Sequence, residues 1–177
     1  MKSSLLLAAA CLTLVSFKLS AATTHYVNAS GTNAVTPYTD WSTAATNIQD
    51  AVDVAAIGDT VLVSNGVYTT GGRQLSSYDV TNRVAVTNAL ILQSVNGPLF
   101  TFIQGYQVAD SSKLTNAVRC VYLASGARLT GFTLTNGQSG TGNYIGPGGI
   151  WAAGSGTVVS NCVLTVNHGG GAGGQLY

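Results

Sequence analysis

The stretch that decides the fold is residues 46–68, TNIQDAVDVAAIGDTVLVSNGVY. It predicts a short amphipathic helix, then a tight turn, then a buried strand with the sequence TVLV. Small apolar residues recur in the helical part at spacings of three and four and form one narrow face: Ile48, Ala51, Val52 and Ala55. The remaining helical residues are predicted to face water: Asn47, Gln49, Asp50 and Asp53. A face of such small residues can cover a core but cannot form one, so we interpret residues 46–57 as a capping helix.

Both ends of this helix carry termination signals. Thr46 and Gln49 match the T-x-x-Q pattern of a capping box. Gly58 stands where a left-handed residue commonly ends a helix. Asp59 is then predicted to cap the turn that follows Gly58.

Later segments repeat the strand, turn and strand of residues 60–68. The repeats are predicted at residues 89–103, 119–136 and 149–167. With an offset of thirty, LTGFTLT at 129–135 aligns with VSNCVLT at 159–165. The two-residue period of a strand then places Leu134 and Leu164 on one side and Thr133 and Val163 on the other.

A repeat of about 30 residues that consists of short strands and Gly/Asn turns indicates a solenoid. Each repeat is too thin to bury its own apolar face, whereas repeats stacked about 4.8 Å apart share hydrogen bonds and a core. We therefore predict an all-β chain, a parallel β-helix with a short N-terminal capping helix. Residues 58–177 would form its coils, and residues 23–45 would form a strand at His25–Val27 and a loop.

Composition agrees with this class. The 177 residues suffice for one domain or a short run of repeats. Only 7% of the residues are charged, Glu is absent and 22 residues are Gly. Such a chain favours strands and turns over long helices, and its polar surface consists of Thr, Ser, Asn and Gly, as is common in secreted β-rich proteins.

Residues 1–22 have the three parts of a signal peptide. Lys2 is followed by an apolar run at 5–17 and by Ser20-Ala21-Ala22, with cleavage predicted after Ala22. The apolar run is too short to span a bilayer. The mature chain is therefore expected to be secreted or to lie on the outer cell surface, without a membrane span. Lipidation at Cys11 is the less favoured alternative.

The mature chain would contain five basic residues and six Asp, a net charge of −1. This balance does not indicate a nucleic-acid partner. The six Asp do not recur at equivalent positions of the repeat, and two His are too few for a His-rich site, so no metal or cofactor is predicted. Cys120 and Cys162 occupy different phases of the repeat, which favours two free thiols over a disulfide.

Long connections recur at one phase of the repeat, at residues 69–82, 104–117 and 137–148. In a solenoid, insertions at a constant phase emerge on one side. Loops of this length are functional or disordered. They carry the densest mixture of aromatic and charged residues, which we name as the candidate ligand-binding residues: Tyr78, Asp79, Tyr106, Asp110, Lys113 and Tyr144.

Four further residues have two interpretations each. Arg119 and Arg128 could contact acidic sugars, but a solubilising role on the surface is favoured. Trp41 and Trp151 could stack on sugars, but packing beneath the capping helix is the commoner fate of a Trp beside such a helix.

The residues of several coils resemble a known family. The segment 48–68, with LILQSVNGPLFTFIQG at 90–105, GFTLTNG at 131–137 and SNCVLTVN at 160–167, is similar to secreted right-handed parallel β-helix proteins of the pectin-lyase-like superfamily. Within it, the chain is most similar in character to bacterial surface proteins with polymorphic outer-membrane-type repeats.

The resemblance implies a right-handed coil in a secreted or cell-surface module, with a structural role or a role in binding polysaccharide or cell-surface glycan. No catalytic site is evident in the chain. Because this fold also carries polysaccharide lyases and glycoside hydrolases, the alternative is the N-terminal part of such an enzyme, with its catalytic coils beyond residue 177. Residues 168–177 are similar to the start of another coil and no polar cap follows, so we expect further coils after residue 177.

Overall fold

The computed structural model describes residues 21–76, 80–110, 115–140 and 146–169, and the backbone of 175–176. The strands of these parts form three parallel sheets, A, B and C. Sheet A contains β1 (Thr24–Val27), β2 (Thr60–Val63), β5 (Ile91–Ser94), β8 (Arg128–Thr130) and β11 (Val158–Ser160). Sheet B contains β3 (Gly66–Tyr68), β6 (Thr101–Gln104), β9 (Thr133–Thr135) and β12 (Val163–Thr165). Sheet C contains β4 (Thr81–Val86), β7 (Val118–Leu123), β10 (Ile150–Ala152) and β13 (Gln175–Leu176). The prediction of an all-β chain is confirmed.

After β1, the chain visits sheets A, B and C in turn, and we call one such set of three strands a coil. Every coil pairs in parallel register with the coil before it. The offset of thirty is confirmed, because Leu164 is the partner of Leu134 and Val163 the partner of Thr133. The strand β4 was not predicted from the sequence, since TNRVAV carries an Asn and an Arg within its apolar pattern.

The core is made of side chains that lie above one another in successive coils. In sheet B one such column runs through Tyr68, Ile103, Leu134 and Leu164. Its first three members are buried, and Leu164, in the fourth coil, is 37% exposed. Burial of one such Leu is worth about 1.5–3 kcal/mol.

The predicted helix exists as α1 (Ile48–Val54), and its predicted apolar face is buried. The helix contacts β1 and also β2 and β4 of the first coil. The predicted capping box is wrong, because the N-cap is Asn47, whose side-chain oxygen accepts a hydrogen bond from the Asp50 amide at 3.0 Å. Gly58 has a φ of +88° in the turn that follows the helix, three residues after the helix has ended at its C-cap, Ala55.

Gln49 does not face water as predicted, because its side chain is buried against the first strand of sheet C. The Ala85 amide donates to Gln49 Oε1 at 2.7 Å, and Gln49 Nε2 donates to the Ala85 carbonyl at 3.3 Å. A Gln side-chain amide offers one acceptor and a donor group, as a neighbouring strand would. Gln49 therefore occupies the free edge of sheet C and satisfies backbone groups that would otherwise be buried without partners.

Thr133 was predicted to point outward, yet it is only 7% exposed. Its side chain does lie on the outward-facing side of sheet B, but its hydroxyl donates to the Pro98 carbonyl at 2.7 Å. The turn between β5 and β6 is longer than the other A–B turns and covers this position. The two-residue period could not predict this, because the cover comes from another coil.

Candidate functional site

The three long connections all join sheet B to sheet C, and we call residues 69–80, 105–117 and 136–149 the B–C loops. The first two begin and end as short antiparallel pairs, between Arg73 and Asn82 and between Tyr106 and Val118. All three therefore leave the coil at the same edge.

Two of the candidate ligand-binding residues lie in the described part of the chain. Tyr106 is 53% exposed, and Asp110 is exposed on the same loop. The other four, Tyr78, Asp79, Lys113 and Tyr144, lie outside the described residues. The proposed grouping of all six thus stays a prediction.

The bases of the B–C loops are packed against one another. The Val108 amide donates to Gln138 Oε1 at 2.6 Å, and the Gln138 amide donates to the Val118 carbonyl at 3.0 Å. Gly137 and Gly148 lie so close together that a Cβ on Gly137 would clash with the Gly148 carbonyl. The second and third loops therefore share a fixed base.

Arg119 is not a surface residue as predicted, because it is fully buried beneath these loops. It donates to Asn82 Oδ1 at 2.8 Å and to the Pro147 carbonyl at 2.9 Å. Its guanidinium also lies 4.7 Å from the centre of the Trp151 ring, a cation–π distance. Arg119 thus links the third B–C loop to Asn82 of β4, which itself pairs with Arg73 of the first loop, and is inaccessible to a ligand. Arg128, in contrast, is exposed on β8, as predicted.

The two cysteines are free thiols, as predicted. Burial raises the pKa of Cys120 to about 12 although backbone groups and Arg83 oppose the shift. Burial likewise raises the pKa of the half-buried Cys162. Both thiols are therefore protonated at neutral pH and are poor nucleophiles.

A second buried polar group lies at the start of the coil, where His25 of β1 contacts Asp59. Asp59 accepts hydrogen bonds from His25 Nε2 at 3.0 Å and from the amides of Thr23 and Ala56 at 2.8 and 2.7 Å. His25 Nδ1 lies 2.7 Å from the Pro37 carbonyl oxygen. Asp59 does more than cap the predicted turn, because it ties β1 and the loop after it to the end of the capping helix.

The Asp59 contacts predict an acid-labile contribution to stability. Burial alone would raise the pKa of this carboxyl, but hydrogen bonds from Thr23, His25 and Ala56 outweigh burial and hold the pKa below its ordinary value of 3.8. The contribution is therefore complete above pH 3.8 and is lost as pH falls from there through the folded-state pKa. Asp59→Asn is expected to lower the free energy of unfolding by about 1–3 kcal/mol near neutral pH.

Urea denaturation at about pH 6 and about pH 3 measures this effect, and the gap between wild type and variant should narrow at the lower pH. Asp50→Asn is the comparison variant: the exposed Asp50 carboxylate accepts from Asn47 Nδ2 at 2.7 Å, so its gap from wild type should be smaller than that of Asp59→Asn at both pH values. A gap of equal size at both pH values would show that the ionised carboxylate is not the source of the stability.

Trp41 was predicted to pack beneath the capping helix, but it is 43% exposed on the outside of the coil. Its ring rests on Tyr26 of sheet A, with ring centres 4.6 Å apart and an angle of 55° between the planes. Asp40 caps the short 3-10 helix Trp41–Thr43 by accepting from the Ser42 amide and so fixes the backbone at Trp41. The sequence alone could not place Trp41, because its position depends on how the loop at 28–47 crosses sheet A.

Trp41 borders a shallow groove of about 410 Å³ at the turns between sheets A and B. The groove is lined by Trp41, Ser64, Asn65, Val95 and Asn96. Its volume lies within the range of about 300–1,000 Å³ that is common for small-molecule sites. Tyr68 supports the floor from inside the core, since its hydroxyl donates to the Ser64 carbonyl at 3.0 Å.

Comparison with protein-family models found no match, and comparisons with curated proteins and with solved structures found no similar protein. In the described part of the chain, no group of three or more His, Cys, Asp or Glu side chains is placed to hold a metal ion. Among the same residues, no helix is both long and apolar enough to cross a membrane.

Proposed function

We propose that this chain is a secreted or cell-surface carbohydrate-binding module with the right-handed parallel β-helix fold of the pectin-lyase-like superfamily. The cyclic order of three parallel sheets and the helix at their start support the fold. The signal-peptide pattern of residues 1–22 supports the location.

The observation that carries the function is the exposed indole of Trp41 beside side-chain amides and a hydroxyl. An aromatic face of this kind packs against the C–H groups of a sugar ring, while neighbouring amides bond to its hydroxyls. Trp41 packs on Tyr26 on one side and leaves 43% of its surface exposed beside these polar groups. This exposed part of the ring is what supports a role in ligand binding.

The alternative function, as the N-terminal part of a polysaccharide lyase or hydrolase, rests on the fold alone. In a lyase, an Arg or Lys would remove a proton from the substrate. Arg119 is fully buried, and Arg83 donates to the carbonyls of Gln104 and Gly71 at 2.9 and 2.6 Å. These two residues of sheet C therefore hold the B–C loops in place.

A glycan array probed with the secreted protein tests the proposal, and we expect saturable binding to a set of related glycans. The matched control is the same protein unfolded in urea and diluted onto the array under identical conditions. An array without signal would overturn the proposal. Release of unsaturated products from uronate polymers would favour the enzyme.

A further inference from the structure

We propose that the edge between sheets A and B binds a neutral polysaccharide whose chain runs parallel to the axis of the coil, with Trp41 at one end of the site. This inference rests on the proposed carbohydrate-binding function. It adds the location of the site, the class of glycan and the direction of the bound chain.

Trp41 provides a platform that is fixed before any ligand arrives. Tyr26 supports one side of the indole at 4.6 Å, and the Tyr26 amide donates to the Tyr38 carbonyl at 2.7 Å. Because neither the backbone nor the ring has to be ordered on binding, the entropic cost of stacking a sugar is small.

Asn65 and Asn96 provide the polar contacts. Asn96 Nδ2 donates to Asn65 Oδ1 at 2.9 Å, which holds both amides in a defined orientation. Each amide has donor or acceptor capacity beyond this bond, and both side chains are exposed. Sugar hydroxyls both donate and accept hydrogen bonds, so these paired amides match them chemically.

The direction of the bound chain follows from the repeat. Asn65 and Asn96 occupy the same turn in successive coils, which are about 4.8 Å apart. Asn65 and Asn96 thus follow one another along the axis, and a ligand that itself repeats along one direction suits such a pair.

The charges at this edge favour a neutral glycan. All five residues that line the groove are uncharged. The charged residue adjacent to Trp41 in sequence is Asp40, and hydrogen bonds from the Ser42 hydroxyl and amide lower the pKa of its carboxyl. Recognition of a uronate or sulfate would require Arg or Lys at the groove, whereas Asp40 repels an anion.

The experiment titrates the secreted protein with neutral hexasaccharides (cellohexaose, chitohexaose and mannohexaose) and with hexagalacturonate, by calorimetry. We expect at least one neutral hexasaccharide to bind and hexagalacturonate to bind at least about tenfold more weakly. Within the neutral series that binds, affinity should rise with length up to about three units, the span from Trp41 to Asn96.

Two variants locate the site. Trp41→Ala should weaken binding by about tenfold or more, as loss of a central aromatic contact does. Tyr106→Ala removes a comparably exposed aromatic from a B–C loop and should leave the affinity unchanged.

The outcomes separate this inference from the proposed function. Preference for hexagalacturonate, loss of binding in Tyr106→Ala with Trp41→Ala unaffected, or affinity independent of length would overturn the inference while carbohydrate binding stands. If none of the oligosaccharides binds and the array is also blank, both this inference and the proposed carbohydrate-binding function are overturned.

Discussion

Leu134→Asp is expected to prevent folding. Leu134 is fully buried, with Ile103 and Leu164 as its partners in the neighbouring coils. A carboxylate at this position would be surrounded by apolar side chains and would have to be buried without a partner. The expected loss, roughly 5 kcal/mol or more, is comparable with the whole stability of a domain, about 5–15 kcal/mol. Circular dichroism and urea denaturation measure the effect.

Val67→Asp is the matched control, because Val67 lies on β3 of the same sheet, next to the column residue Tyr68, and is 53% exposed. Its carboxylate can reach water, so we expect a loss of only about 1 kcal/mol. Equal effects of the two substitutions would contradict the assignment of the inner and outer faces of sheet B.

Arg119→Met is expected to lower the free energy of unfolding by about 3 kcal/mol or more, because it removes at least two hydrogen bonds from a charged group, each worth about 1.5–3 kcal/mol. The Asn82 oxygen and the Pro147 carbonyl would lose their donor, and Trp151 would lose the cation above its ring. Met keeps most of the length of the side chain and leaves little empty space. The loss of stability therefore measures mainly the contribution of the guanidinium group. Urea denaturation gives the magnitude, and limited proteolysis shows whether the B–C loops loosen.

The control for this substitution is Arg128→Met on the exposed face of β8, with an expected change within about 0.5 kcal/mol. Arg119→Lys retains the positive charge but not the planar guanidinium group with its several N–H donors. It should therefore be more stable than Arg119→Met and less stable than the wild type. Equal stability of the Arg119→Met and Arg128→Met variants would show that Arg119 does not hold the loops together.

Local patterns in the sequence were sufficient to predict the repeating part of the fold. The spacing of Ile48, Ala51 and Val52 predicted the face of the capping helix that is buried. The alignment of residues 129–135 with 159–165 predicted the strand register of the last two coils. These features depend on residues that are close in sequence or on a repeated pattern. Both kinds of signal can be recognised in a single amino-acid sequence.

The polar interior could not be predicted in this way. For Gln49, Asp59 and Arg119 the sequence predicts a position on the surface or in a turn, because isolated polar residues most often lie there. Each is buried by a partner 28 to 37 residues away, namely Ala85, His25 and the pair Asn82 and Pro147. No local pattern in the sequence predicts a partner at that distance along the chain.

The groove at Trp41 could not be predicted for the same reason. The length of the B–C loops drew attention to their aromatic and charged residues, of which Tyr106 and Asp110 lie in the described part of the chain. The Trp41 groove is formed by three short segments that are far apart in sequence. One local signal of the groove is the recurrence of Asn65 and Asn96 after equivalent strands.

The most direct measurement is a fluorescence titration of the Trp151→Phe variant with the neutral hexasaccharide that binds best. The chain contains two Trp, so Trp41 is the only Trp left in this variant, and Phe keeps a ring beneath Arg119. We expect the emission of Trp41 to shift to shorter wavelength as the sugar covers the indole, with a midpoint that matches the calorimetric Kd. Binding by calorimetry with unchanged Trp41 emission would show that the glycan binds elsewhere and would contradict the proposed site.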